Sequence, residues 1–250
     1  MSLHDWGPRS ALIGSTGFVG GNLLRQGRFD RQFHRTDIET MRGGDFGVVV
    51  CAGVSAVKWR ANQQPEEDWR GIEPLLDVLR TIRAERMVLI STVDVFADPN
   101  GVTEDTPPSL ENHAYGRHRR QVEEFVRKTF LVHHIARLPG LFGPGLKKNV
   151  IYDLLHGNCL EAIQPRSAYQ YYPLAFLTAD LLKMIGQGLD TLHFATEPLE
   201  TSVLHACIAP NRVIGEKAGP VVRYDMRTKH GGYLHDAETV LQELDAFVKS

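Results

Sequence analysis

The sequence predicts an α/β fold, a doubly wound parallel sheet with crossover helices followed by a small C-terminal lobe, on three observations. Short apolar runs alternate with helix-periodic segments as far as Leu138, and a glycine-rich turn directly follows the first run. Beyond Gly145 the pattern loosens, with Pro165, Pro173, Pro198 and Pro210 punctuating shorter segments. The expected division is therefore a core over residues 1–145 and a mixed segment, 146–250, that completes the core and forms the lobe.

Composition sets the bounds. The chain has 250 residues, 42% of them hydrophobic and 23% charged, enough for one large core. A formal net charge of −2 offers no basic excess for a nucleic-acid backbone or an anionic membrane, so a small molecule is the expected partner. Cys51, Cys159 and Cys207 are odd in number, lack CxxC spacing and read as reduced structural thiols. Residues 1–9 lack the apolar core of a signal peptide, and no apolar run is long enough to span a bilayer, which predicts a cytoplasmic protein. The histidines, including the pairs His133/His134 and His113/His118, form no HExxH or comparable grouping, so no metal site is predicted.

The strands are expected in order at residues 10–13, 47–52, 87–91 and 131–138. Between the second and third, Trp69, Ile72, Leu75, Leu76, Leu79 and Ile82 recur at three- and four-residue intervals, giving an amphipathic helix despite Gly71 and Pro74. A further helix over about 115–128 places Tyr115, Arg119, Val122 and Val126 on one face, with His118 and Arg120 read as surface residues. A last helix, about 237–248, keeps Val240, Leu241, Leu244 and Phe247 on one stripe for packing.

After the first strand comes Gly14-Ser15-Thr16-Gly17-Phe18-Val19-Gly20, leading into a helix that carries Phe18, Leu23 and Leu24 inward. Glycines permit a tight strand-to-helix turn and close approach of a pyrophosphate, whose charge is stabilised by free N–H groups and the helix dipole. This Rossmann-like arrangement makes Gly14, Thr16, Gly17, Phe18, Val19 and Gly20 cofactor-binding candidates, together with Ala52 and Gly53 after the second run. The segment Phe33-His34-Arg35-Thr36-Asp37 offers two readings. Asp37 at the ribose hydroxyls favours NAD; Arg35 and Thr36 around a 2′-phosphate favour NADP. Asp37 lies so near the next strand that it can instead sit beside the adenine, which leans the reading to NADP.

The third run ends in Ile90-Ser91-Thr92-Val93-Asp94-Val95-Phe96, and Tyr115-Gly116-Arg117-His118-Arg119 follows after a proline-containing loop. These segments resemble the "STxxVF" strand end and YxxxK helix of extended short-chain dehydrogenases/reductases, the group of sugar-nucleotide epimerases, dehydratases and 4-keto reductases. Arg137-Leu138-Pro139-Gly140-Leu141-Phe142-Gly143-Pro144-Gly145 is similar to the same family's "RxxxxYGPG". Hydride transfer between a nicotinamide and a carbon–oxygen centre needs a group that moves the proton on oxygen, and a tyrosine with a depressed pKa does this. The resemblance implies Tyr115 for that role and Thr92, with Ser91 as alternative, to hold the same oxygen in line.

The resemblance implies at i+4 a lysine whose charge lowers the tyrosine pKa and whose ammonium bonds the nicotinamide ribose; Arg119 stands there, keeping the charge but not the compact ammonium. Asp94 reads either as the acidic residue that dehydratases carry or as a cap of the following loop; one carboxylate alone counts against dehydration. The resemblance further implies Pro139 near the nicotinamide carboxamide. Substrate candidates are Asn149, beside Lys147 and Lys148, and then Arg166 and Gln170. It also implies a homodimer through the Tyr115 helix and the preceding crossover helix, although leucine patterning there is equally what sheet packing requires. The expected activity is NAD(P)-dependent reduction or epimerisation of a nucleotide sugar or similar polar metabolite. The alternative is a cofactor-binding regulator or scaffold that has lost catalysis.

Overall fold

The structure is a computed structural model describing residues 4–249; residues 1–3, part of the amino-terminal stretch read above, and Ser250 lie outside the described residues. The chain begins β1 (His4–Asp5), β2 (Ala11–Ile13), α1 (Phe18–Gln26), β3 (Gly27–Arg28), β4 (Arg31–Phe33) and β5 (Asp45–Cys51). It continues α2 (Lys58–Gln63), α3 (Pro65–Leu79), β6 (Arg83–Thr92), α4 (Ala114–Thr129), β7 (His133–Leu138) and β8 (Gly140–Phe142). The remainder is α5 (Val150–His156), β9 (Ala168–Tyr169), β10 (Tyr171–Pro173), α6 (Leu177–Gly186), β11 (Thr191–His193), β12 (Leu199–Glu200), α7 (Thr201–Ile208) and α8 (Ala237–Val248).

Two compact units result. The first comprises Met1–Asp98, Pro107–Arg137 and Phe176–Leu192. It is built on a six-strand parallel sheet in the order β11-β7-β6-β5-β2-β4, the Rossmann-like α/β fold expected. Strand order reverses at β2, which pairs with β4 on one side and β5 on the other. In open α/β sheets the crevice at such a reversal, beyond the carboxyl ends of the strands, is where ligands bind. The glycine turn and residues 52–53 follow β2 and β5 directly, so both lie at that reversal.

The sheet's apolar runs and its helices close one core around Ile13, Val49, Cys51, Leu76, Leu79, Met87, Leu89, Val122 and Val126. Burial pushes the Cys51 thiol up to about 11, which makes it inert near neutrality. Pro65 opens α3 without loss of a helical hydrogen bond, and Glu66, Glu67 and Asp68 complement the positive end of its dipole. Ile82, placed on this helix from its spacing, is buried in the turn beyond the helix end. α6 also belongs to this unit: the Thr178 N–H donates to Gln26 Oε1 of α1 at 3.1 Å.

The second unit comprises Pro99–Thr106, Leu138–Ala175 and His193–Ser250. Short strands pair in twos, β8 with β10 in parallel and β9 with β12 antiparallel. Phe142, Ile151, Leu154, Tyr171, Leu204, Val240 and Leu244 form its core under α5, α7 and α8. Among the described residues no helix is long and apolar enough to cross a membrane.

Candidate active site

The glycine turn is shaped by clashes that side chains would cause. Gly14 takes φ +87°, and a Cβ there would lie 2.4 Å from the Ala52 carbonyl oxygen. A Cβ on Gly20 would lie 2.1 Å from the Gly14 oxygen, so α1 can start this close to the turn only with glycine. Gly17 differs: its Cβ would meet only the Gly14 oxygen, at 3.2 Å. Internal packing therefore explains Gly14 and Gly20 most strongly and crowds Gly17 less, and Gly17 stands at the start of a nine-residue helix that has no side-chain cap. The first N–H groups of a helix without a side-chain cap suit a pyrophosphate. Gly20→Ala is expected to cost about 1–3 kcal/mol through overpacking and to weaken dinucleotide binding, read by thermal melting and by fluorescence titration with NADPH.

After β4, Arg35 and Thr36 are exposed. Asp37 is half-buried and turned back on its own loop: its Oδ1 accepts the His34 N–H at 2.7 Å, and its Oδ2 lies 3.1 Å from His34 Nδ1. Of the three, Arg35 and Thr36 are the ones left facing solvent.

β6 ends at Thr92, whose Oγ1 accepts the Asp94 N–H at 3.2 Å and caps a single 3-10 turn over Val93–Val95. α4 is docked tightly against this turn. A Cβ on Gly116 would lie 2.1 Å from the Asp94 carbonyl oxygen, and Asn112 Nδ2 donates to that same oxygen at 2.9 Å. His113 caps α4, its Nδ1 accepting the Gly116 N–H at 3.0 Å. Burial, and then the Lys58 charge, hold this imidazole below its usual pKa, which suits an acceptor nitrogen. The result brings Thr92 to the phenol of Tyr115, where its hydroxyl is one of the groups that favour ionisation. Ser91 faces the other side of the strand, its hydroxyl donating to Glu123 Oε1 at 2.6 Å.

Tyr115 is buried, 6% exposed. Burial raises its pKa above the ordinary tyrosine value, the reverse of the depressed pKa expected of it; Arg119, the Thr92 hydroxyl and Lys58 oppose this rise, while Asp94 reinforces it. Arg119 lies beneath the phenol, with its guanidinium carbon 4.0 Å from the ring centroid. Its two Nη groups are directed elsewhere, and its buried Nε has no hydrogen-bond partner among the described residues. Nη1 and Nη2 both donate to the Asp68 carboxylate of α3, and Nη2 also donates to the Ser55 carbonyl. Burial would push Asp68 up, but hydrogen bonds from Arg119 and His118 outweigh it and hold the carboxyl below its usual value. His118, expected at the surface, is buried, with Nδ1 2.8 Å from Asp68 and its ring against Trp69. Asp68 draws the imidazole inward. Arg120 is half-buried and pairs with Glu124 at 3.0 Å.

In the second unit, Pro139 is buried between β7 and β8. Asn149 caps α5: Oδ1 accepts the Tyr152 N–H at 3.0 Å, and Nδ2 donates to the Leu141 carbonyl at 2.9 Å. Gln170 is buried and ties backbone together, donating to Thr196 and Met226 carbonyls and accepting the Met226 N–H. Arg166, Lys147 and Lys148 are exposed.

Sequence reasoning missed Lys58, Asn62, Asp68 and Glu123. Lys58 Nζ lies 2.7 Å from Asp94 Oδ1, and Asn62 Oδ1 accepts the Tyr115 N–H at 3.0 Å. One signal was present for Asp68: an arginine on the same helical stripe as Val122 and Val126 must be buried, and a buried guanidinium needs a carboxylate.

The chain belongs to the NAD dependent epimerase/dehydratase family, which it matches over residues 18–160, more than half its length. Members of that family are NAD(P)-dependent epimerases, dehydratases and reductases. Among solved structures, the dTDP-4-dehydrorhamnose reductase of Bacillus anthracis in complex with NADP is similar at 14% identity and a TM-score of 0.75, covering 100% of this chain and 99% of that one. The reductase of the same name from Clostridium acetobutylicum gives 17% identity and a TM-score of 0.73, covering 96% and 98%. The UDP-glucose 4-epimerase of Thermotoga maritima gives 14% and 0.71, covering 96% and 97%. No curated protein matches the sequence. At these identities the structural likeness establishes the fold.

Proposed function

We propose that the protein reduces a carbonyl on a nucleotide-activated sugar or similar polar metabolite, using NADPH in preference to NADH. The observation that carries this reading is the Thr92–Tyr115 pair, in which burial keeps the phenol protonated at neutral pH. A carbonyl that accepts hydride must gain a proton on its oxygen, and a protonated Tyr115 is the donor this direction requires. Thr92 holds the same oxygen in line. A bound nicotinamide would supply the hydride. Gly17 and the start of α1 would hold the pyrophosphate, and Arg35 and Thr36 would hold the 2′-phosphate. Asp94 is the single carboxylate of the strand end and is paired with Lys58, so the second acid–base group that dehydration needs is not supplied there.

The first unit is thus assigned to the cofactor and the chemistry, and the second to the substrate, with exposed Arg166 as its contact. Free thiols at Cys51, Cys159 and Cys207 support a cytoplasmic setting. The experiment is nicotinamide absorbance at 340 nm, a wavelength characteristic of the reduced ring, with NADPH or NADH and a panel of 4-keto nucleotide sugars. Oxidation of NADPH that depends on a keto sugar is the expected result; cofactor binding without oxidation on any member of the panel overturns the reading. One observation favours the second reading, a regulator that binds cofactor without turnover: Arg119 is locked to Asp68. That reading predicts activity appearing only in Arg119→Lys.

A further inference from the structure

We propose that the Lys58–Asp94 ion pair sets the acidity of Tyr115, with Lys58 acting as a positioning residue that shares with Arg119 the electrostatic work of the absent family lysine. The inference rests on the reductase reading, in which Tyr115 is the proton donor.

Arg119 can perform only part of that work. It lies fixed against the phenol ring, but its guanidinium is 5% exposed and donates to Asp68 and Ser55. A bidentate carboxylate partner offsets much of its charge at a distance and holds its position. Arg119 is therefore a constant in the field around Tyr115.

Lys58 is the adjustable part. It opens α2, and Asn62 stands one turn later on the same face. Asn62 accepts the Tyr115 N–H at 3.0 Å, which fastens α2 to the first turn of α4 and brings Lys58 to the same end. From there Lys58 Nζ reaches Asp94 at 2.7 Å. Asp94 is itself anchored, its carbonyl oxygen under Gly116 and bonded to Asn112. The pair is thus placed by backbone contacts on three elements rather than by chance at a surface. Its side chains are 39% and 17% exposed, so unlike Arg119 the ammonium can exchange partners when a ligand enters.

The charged and titratable groups facing Tyr115 are Arg119 from its own helix, Asp94 from the turn after β6, Lys58 from α2 and His113 at the cap. Lys58 and Asp94 act on the phenol in opposite senses, the cation favouring its ionisation and the carboxylate opposing it. Breaking the pair from either side must therefore move Tyr115 in opposite directions, which a purely structural contact would not do.

The test replaces Tyr115 with 3-fluorotyrosine, whose phenol is more acidic, and follows its ionisation by fluorine NMR, a readout independent of turnover. Lys58→Met is expected to raise the midpoint on the order of one pH unit, Asp94→Asn to lower it, and Lys58→Arg to leave it near the parent value. Midpoints that stay together, or that move the same way in Lys58→Met and Asp94→Asn, overturn the proposal. Failure of the reductase reading shows separately, as absent keto-sugar turnover in the unsubstituted protein.

Discussion

Glu123→Ala is expected to lower the unfolding free energy by about 3–5 kcal/mol, the cost of leaving a buried charge without its partner. Glu123 lies on α4 with no exposure, and three side chains converge on its carboxylate. Arg137 of β7 donates from Nε at 3.0 Å and Nη2 at 2.6 Å, Ser91 of β6 donates its hydroxyl, and Arg127 adds a contact at 3.2 Å. Alanine would remove the carboxylate that faces the Arg137 guanidinium, which is 3% exposed. A loss on this scale is a large share of a typical folding free energy of about 5–15 kcal/mol. It corresponds to a fall in Tm on the order of 10 °C for a chain of this size. A Tm unchanged in Glu123→Ala would contradict the assignment of this cluster as a structural brace.

The same cluster gives a pH dependence of defined sign. Burial alone would raise the Glu123 carboxyl, but hydrogen bonds and charge from Arg137, then Ser91 and Arg127, outweigh it and hold the group below its usual value. A carboxyl depressed in the folded state contributes stability that is complete above its unfolded value of about 4.3 and is lost as pH falls through the folded value. Wild type should therefore lose stability below about pH 4.3 more steeply than Glu123→Gln, as equilibrium urea unfolding across that range would show.

The sheet was legible because buried strands leave contiguous apolar runs, and residues 87–91 and 131–138 sit inside or against β6 and β7. α4 and α8 were legible to within a residue or two because each keeps a stripe of three- and four-residue spacing. The lobe was not. Its strands β8, β9, β10 and β12 have two or three residues each, too few to show a period, and they exist through pairing that local sequence does not encode. α2 escaped for the same reason: six residues complete under two turns, so Lys58 carries no periodic signal. Arg119 was placed on the correct face, but its partner Asp68 lies on another helix, and such partners follow from packing rather than spacing. Likewise Asp37 was read from its place after β4, whereas its bond to His34 depends on how that turn closes.

The largest expected effect on activity is at Tyr115. Tyr115→Phe removes one hydroxyl from a buried ring that keeps its place over Arg119, so the fold and the cofactor site are expected to survive. What is lost is the proton donor, worth about 10²–10⁴-fold in rate. Thr92→Val should act in the same direction but less severely, since it removes an orienting hydroxyl while leaving the donor in place, and a loss of kcat with little change in KM would mark it as acting on the transition state.

The most direct test of the account is the initial rate of NADPH oxidation by wild type and Tyr115→Phe at saturating 4-keto nucleotide sugar, with NADPH binding measured on the same samples. The account predicts equal NADPH affinity and a rate at least about 100-fold lower in the variant; an equal rate in the two proteins would contradict it.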